Sequence, residues 1–276
     1  MKTKTLRWKI FFHILLILGS IIMVVPFYWM ISTSLKTNEN VLRLPPQIIP
    51  NPVSFEAYKN VWVNLNFLRY TFNSFFLTVM NIIGTILSCS IVAFGFAMFE
   101  FRTKKLFFML MLGTLMMPGQ VTMIPTYFIW KELRALDSYL PLIIPSFLGQ
   151  AFGIFLLHQN YKTLPKALYE SALIDGCNPF KILFRIYMPL SVPAITTLVV
   201  FTFIGAWNNT LGPLLYIKTR DLYTLPLGLL ALNSSYEANA NMAMKMAAAT
   251  ITMTPVIIVY LFAQRYFVAG MANAGI

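Results

Sequence analysis

The sequence predicts an all-α, polytopic membrane protein with six transmembrane helices. Hydrophobic residues make up 58% of the 276 and charged residues only 11%, whereas soluble domains carry about a quarter charged residues. Mean hydropathy is +0.70. Six apolar stretches, roughly 10–32, 72–98, 106–129, 141–160, 189–211 and 247–264, have the length of about 17 residues or more that a helix needs to cross the hydrocarbon core.

The first stretch follows a basic segment of Lys2, Lys4, Arg7 and Lys9. Its apolar run from Ile10 to Ile31 is too long for a signal-peptide core and no small-x-small cleavage site follows, so it is read as a retained helix. The segment 33–71 is rich in Pro and Asn and reads as an ordered, extended outer loop. It leads to Trp62, Phe67 and Tyr70, expected at the interface where aromatic belts lie. In the second stretch Asn73, Ser74, Thr78, Asn81, Gly84, Thr85, Ser88 and Ser90 form a small, polar stripe at helical spacing. Lipid would leave such a stripe unsatisfied, so it packs against other helices or faces a polar pathway.

The third stretch contains Pro118, Gly119 and Pro125 and must kink or end early. Irregular backbone at membrane depth survives only where protein or a water-filled cavity covers it, which places this helix inside the bundle. The fifth ends in "AWNNTLGPLLY", where Trp207, Asn208, Asn209 and Thr210 gather an aromatic face and hydrogen-bonding groups near the outer surface. Asn81, Gly119, Trp207, Asn208 and Asn209 are therefore the candidate translocation-pathway residues. The stretch 212–246 reads as an outer loop, and its small, polar piece "LNSSYEANANMAM" offers Tyr236 and Glu237 for docking a partner.

The net charge of +12 arises at span ends rather than in a clustered patch, which argues against nucleic acid. With a cytoplasmic N-terminus, the inner segments hold Lys2, Lys4, Arg7, Lys9, Arg102, Lys104, Lys105, Lys162, Lys166, Lys181, Arg185 and Arg265 against Glu100, Glu170 and Asp175. The outer segments hold nine Lys/Arg and six acids. The positive-inside rule thus favours both termini inside. No Asp, Glu, Lys or Arg lies within a span, and proton-coupled carriers and pumps keep such residues there. No phosphate loop, HExxH or nucleophile elbow appears either. The chain is therefore not expected to be an enzyme, and its energy source lies elsewhere. Cys89 and Cys177 fall in different environments and read as packing residues, with no metal site expected.

Residues 164–195 break the apolar pattern. Pro165 suits a first helical turn, Leu168, Tyr169, Ala172 and Leu173 share a face, and Gly176 can close the helix in the left-handed conformation. Asn178 then suits an N-cap and Pro179 the first position of a second helix running towards Pro189. The expected product is a cytoplasmic helical hairpin whose acids, Glu170 and Asp175, point to a protein partner rather than to anionic lipid. Helix-in-groove docking, with small Ser171 and Ala172 at the contact, fits this pattern.

This loop resembles the EAA loop of the inner-membrane permease subunits of ABC importers. Glu170, Ser171 and Ala172 are followed by three residues to Gly176, nine to Ile186, one to Met188 and then Pro189. The family's spacing is kept, with Ser171 and Met188 replacing Ala and Leu. "MPLSVPAI", "AWNNTLGPLLY", "LPLGLLAL" and "QRYFVAGMANAG" are similar to the carbohydrate-uptake branch, in particular the smaller six-helix permease of the maltose type. The resemblance implies a type I ABC importer permease fold in a bacterial or archaeal inner membrane. It also implies a second, homologous permease, two ATPase subunits that bind the ATP, an extracytoplasmic sugar-binding protein, and no cofactor on this chain. Glu170, Ser171, Ala172, Asp175, Gly176, Ile186 and Pro189 would then couple to the ATPases. Residues 1–71 would form the first helix and outer loop, 72–267 the permease core with its coupling loop at 161–188, and 268–276 a cytoplasmic tail. The alternatives are a permease for a non-sugar solute, and a secondary transporter or channel, which an intramembrane acid or an inverted repeat would have favoured.

Overall fold

The computed structural model describes residues 2–234 and 241–273. Helices dominate, and no strand forms among the described residues. The chain divides into two compact units, residues 1–68 with 228–254 and residues 69–227 with 255–276.

In the first unit, α1 (Lys2–Ser34) is apolar all round, and its side chains from Ile10 to Met23 are exposed. A helix of that kind is at home in lipid or against a partner. Its C-terminal end is anchored to the following loop: Tyr28 and Ser32 donate to the Ile48 carbonyl at 3.2 and 2.6 Å, and Ser34 shares a 2.8 Å hydrogen bond with Tyr58. Lys36 lies 4.2 Å over the Trp29 ring. The loop expected to be extended carries two short helices, α2 (Asn38–Val41) and α3 (Glu56–Asn64).

The second unit is organised around α4 (Phe67–Met98), a 32-residue helix that begins in the first unit. Its polar stripe holds other elements. Asn73 donates to the carbonyls of Asp221 and Tyr223 at 2.8 Å, Ser74 accepts from the Leu225 amide at 2.8 Å, and Ser88 donates to the Ser146 carbonyl at 2.8 Å. Phe67 and Tyr70, expected at the interface, are buried, because they fall on the same inward face as Ser74, Leu77 and Thr78; Trp62 is exposed.

The third apolar stretch is not one straight helix. It divides into α5 (Lys104–Thr114) and α6 (Gly119–Glu132), bent by 99° at the break. Pro118 removes the amide that would continue the ladder, while Pro125 sits inside α6. The fourth is α7 (Leu140–Phe147) and α8 (Ala151–Thr163), interrupted at Gly149 in the left-handed conformation, φ 87°. α9 (Lys166–Ile174) and α10 (Pro179–Leu190) form the hairpin, and α10 turns by 84° into α11 (Val192–Trp207). Helices α1, α4, α7–α8 and α14 (Met242–Asn273) supply four candidate spans, and the two bent pairs raise the number to six.

The stretch 212–246, expected to be a loop, is largely helical where described. α12 (Leu211–Tyr216) and α13 (Leu225–Ser234) occupy it, because "LGPLLY" and "LPLGLLAL" bury Tyr216, Leu225, Leu227 and Leu232. Tyr236 and Glu237 lie outside the described residues.

Candidate functional site

Two features of the second unit are candidate sites, a hairpin and a cavity. The hairpin closes as its residues dictate. Gly176 takes φ +75°. The Cys177 amide donates to the Ala172 carbonyl at 2.9 Å and the Gly176 amide to Leu173 at 3.0 Å, the two bonds of a Schellman motif. Asn178 Oδ1 accepts from the Lys181 amide at 2.8 Å with Pro179 at the first helical position. Pro165 sits one position earlier than expected, as the residue preceding α9.

One face of the hairpin is fixed to the helices beneath it. Ala172, Ile182, Leu183 and Tyr187 are buried with Cys89, Ala93, Leu157 and Leu198 in one apolar cluster. Phe94 is its centre, with ring centroids 6.3 Å from Tyr161, 5.9 Å from Tyr169 and 5.1 Å from Tyr187. Edge contacts of this kind contribute about 0.5–1.5 kcal/mol each beyond burial. α10 accommodates the packing with a π-helical turn at Leu183–Tyr187. Such single turns are characteristic of functional sites.

The opposite face is open. Glu170, Ser171, Asp175 and Gly176 are exposed, as are the apolar Leu173, Ile174 and Phe180, Ile174 at 87%. Glu170 takes part in neither ion pair found among the described residues. Ala172, expected at the partner contact with Ser171, instead packs inward. Its place there is taken by Ile174, which follows it at the edge of the bend. Ile186 is half-buried and Pro189 exposed.

The cavity, of about 500 Å³, lies among α4, the α7–α8 break and α11. It brings Asn81 and Asn209 together and adds Gln150, Thr202, Phe152 and Phe201. Gln150 reaches it because Gly149 breaks the helix. The Gln150 amide freed by that break donates to Cys89 Sγ at 3.4 Å, and the Cys89 thiol donates at 3.6 Å to the Gln150 carbonyl, which also accepts from the Ile154 amide at 2.9 Å. Broken helices in membranes need such a substitute partner. The rest of the pathway set lies elsewhere. Trp207 is buried and stacks on Phe203 at 5.5 Å, Asn208 is an exposed helix end, and Gly119 is exposed at the start of α6. Phe201, Thr202 and Gly205 share one face of α11 and Asn209 lies two residues beyond its end, a signal that was legible; Gln150 depended on the break.

The fold and these features define a multi-pass membrane protein with a cavity among its helices lined by no charged side chain, and a hairpin outside them with one packed and one exposed face. Residues 86–273 match the family model described as "Binding-protein-dependent transport system inner membrane component". The arabinooligosaccharides transport system permease protein AraQ of Bacillus subtilis is 32% identical, over 93% of this chain and 92% of its own length. The sn-glycerol-3-phosphate transport system permease protein UgpE of Escherichia coli is 34% identical over 96% of both chains. Among solved structures, a chain of a bacterial ABC transporter involved in import of the acidic polysaccharide alginate superposes with a TM-score of 0.85 at 24% identity, covering 94% of this chain and 96% of that one. A second alginate transporter chain, from a complex with a periplasmic protein bound to alginate pentasaccharide, gives 0.64 at 15% identity, with 92% of each chain covered. This chain belongs to the family of inner-membrane components of binding-protein-dependent transport systems and has the type I ABC permease fold.

Proposed function

We propose that this chain is one permease subunit of an ATP-driven carbohydrate importer, contributing half of the translocation pathway and a coupling site for a cytoplasmic ATPase. The observation that carries the reading is the hairpin at 164–190, a rigid bend whose inner face is locked by Phe94 and whose outer face offers Glu170, Leu173, Ile174 and Phe180 to a partner. Kinship over more than nine-tenths of the chain with permeases for arabinooligosaccharides and for sn-glycerol-3-phosphate supports a carbohydrate or polyol cargo.

In this reading both termini are cytoplasmic, Glu170 meets a basic residue in an ATPase groove, and ATP is bound by that partner rather than by this chain. A second permease completes the pathway, and an extracytoplasmic sugar-binding protein docks on the outer face, near Tyr236 and Glu237. The core at 72–267, with its coupling loop at 161–188, performs the transport. The test replaces both Ile174 and Phe180 by Asp and measures co-purification of the ATPase with the permease pair. Desolvating two carboxylates in a groove built for apolar side chains is strongly unfavourable. The ATPase is expected to be lost while the permease pair remains intact. Full retention of the ATPase would remove the hairpin from the coupling role.

A further inference from the structure

The cavity has hydrogen-bonding capacity that the chain itself leaves unspent. Asn81 uses its Nδ2 on the Leu77 carbonyl at 2.8 Å, and Asn209 uses its Oδ1 on the Gly212 amide at 3.0 Å. No hydrogen bond involves the carbonyl oxygen of the Asn81 side chain, the Nδ2 of Asn209, the Gln150 side-chain amide or the Thr202 hydroxyl among the described residues. Donors and acceptors therefore line one wall in roughly equal number. Between them, Phe152 and Phe201 meet edge to face, centroids 5.5 Å apart at 78°, and offer an apolar ring surface. The cavity's volume of about 500 Å³ lies within the usual range for small-ligand sites of about 300–1,000 Å³.

The lining residues include no Lys, Arg, His, Asp or Glu. A bound anion would have no counter-charge there, and an unpaired charge taken out of water is far more costly than a hydroxyl that finds partners. Mixed amide donors and acceptors beside an aromatic face match a pyranose or furanose ring, which has hydroxyls around its edge and C–H groups on its faces. We propose that this chain itself holds a subsite for one uncharged sugar unit, formed by Asn81, Gln150, Thr202 and Asn209 against Phe152 and Phe201, and that it disfavours uronate-containing glycans and phosphorylated polyols. This rests on the reading of the chain as a carbohydrate permease and adds the charge class of the cargo.

Gly205 supplies a clean probe. It lines the cavity, and a Cβ built on it meets nothing within 4 Å. Gly205→Leu therefore starts from an open Cβ position, carries its side chain into the cavity and improves helix propensity. The experiment places the complete transporter, with partner permease, ATPase and saturating binding protein, in sealed vesicles. Uptake is measured for two neutral probes, arabinotriose and maltotriose, and two anionic ones, an alginate trisaccharide and sn-glycerol 3-phosphate. The wild type is expected to import a neutral probe at least about tenfold faster than either anion, equivalent to one decade in affinity. Gly205→Leu and the pair Gln150→Ala with Asn209→Ala are expected to slow that import about tenfold or more while still co-purifying with their partners. Unchanged neutral import in both variants overturns the subsite and leaves the carbohydrate importer standing. Faster import of an anion overturns the charge preference alone. Import of none of the four by the ATP-supplied complex overturns the carbohydrate reading and this proposal with it.

Discussion

Gly153 and Asp137 show how single residues fix this molecule. A Cβ on Gly153 would lie 2.7 Å from Cys89 Sγ and 3.0 Å from a Leu198 methyl, so α8 meets α4 and α11 at a point where only hydrogen fits. Gly153→Val is expected to destabilise by about 1–3 kcal/mol, the usual cost of overpacking. Thermal unfolding of the purified complex in detergent measures it, and an unchanged midpoint would mean the helices separate freely. Asp137, in the loop between α6 and α7, accepts from the Thr219 hydroxyl at 2.6 Å and from the amides of Thr219 and Lys218 at 2.8 Å. The Thr219 hydroxyl, then the two amides, hold its carboxyl below the ordinary carboxylate range. A depressed folded-state pKa stabilises above the unfolded value of about 3.9 and is lost as pH falls through the lower folded value. The melting difference between wild type and Asp137→Asn should therefore be constant from pH 8 to about 5 and shrink below about 4. A difference that grows on acidification would contradict the clamp.

At the scale of elements, the hairpin depends on conformation where Gly153 depends on space. Nothing lies within 4 Å of a Cβ on Gly176, yet its φ of +75° disfavours any side chain, most of all a β-branched one. Gly176→Val costs about 1–2 kcal/mol in the bent form and is expected to lower coupled uptake about tenfold. Gly176→Asn, which tolerates the left-handed region, should retain most of it. Equal uptake by both variants would show that the bend is dispensable. The two broken spans follow a different rule. Pro118 ends a helix by removing an amide, whereas the α7–α8 break is stabilised from outside its own segment, by the Cys89 thiol on Gln150.

For the whole molecule, the charge distribution gives an expected orientation. Twelve basic residues against three acids on the expected inner segments predict a cytoplasmic hairpin and an external loop containing Ser54. Cys177, half-buried beside the bend, and Cys89, fully buried, are the native thiols. A membrane-impermeant maleimide should therefore label Ser54→Cys in intact cells and Cys177 only in inverted vesicles. Labelling of Cys177 from outside would invert the topology.

The fold class and the hairpin were legible because each rests on local chemistry. Apolar runs of sufficient length must be helical in lipid, since no water satisfies their backbone, and Pro165, Gly176, Asn178 and Pro179 act through their own dihedral angles and hydrogen bonds. Pro118 announced its break for the same reason. Residues such as Gln150, Phe152 and Ala172 were not legible, because their environment is set by distant segments. Gln150 reaches the cavity through a break satisfied by Cys89, 61 positions earlier. Ala172 faces inward because Phe94 and Tyr187 meet there. Trp207 is the buried last residue of α11 and Asn209, just beyond the helix end, lines the cavity; the sequence alone could not say which of the two faces it. The sequence by itself determined the spans, the bend and the polar stripe, whose causes lie within a few residues; the tertiary structure alone decided which polar groups spend their hydrogen bonds on packing and which stay unpaired along the cavity among the described residues, because that depends on which helices come together.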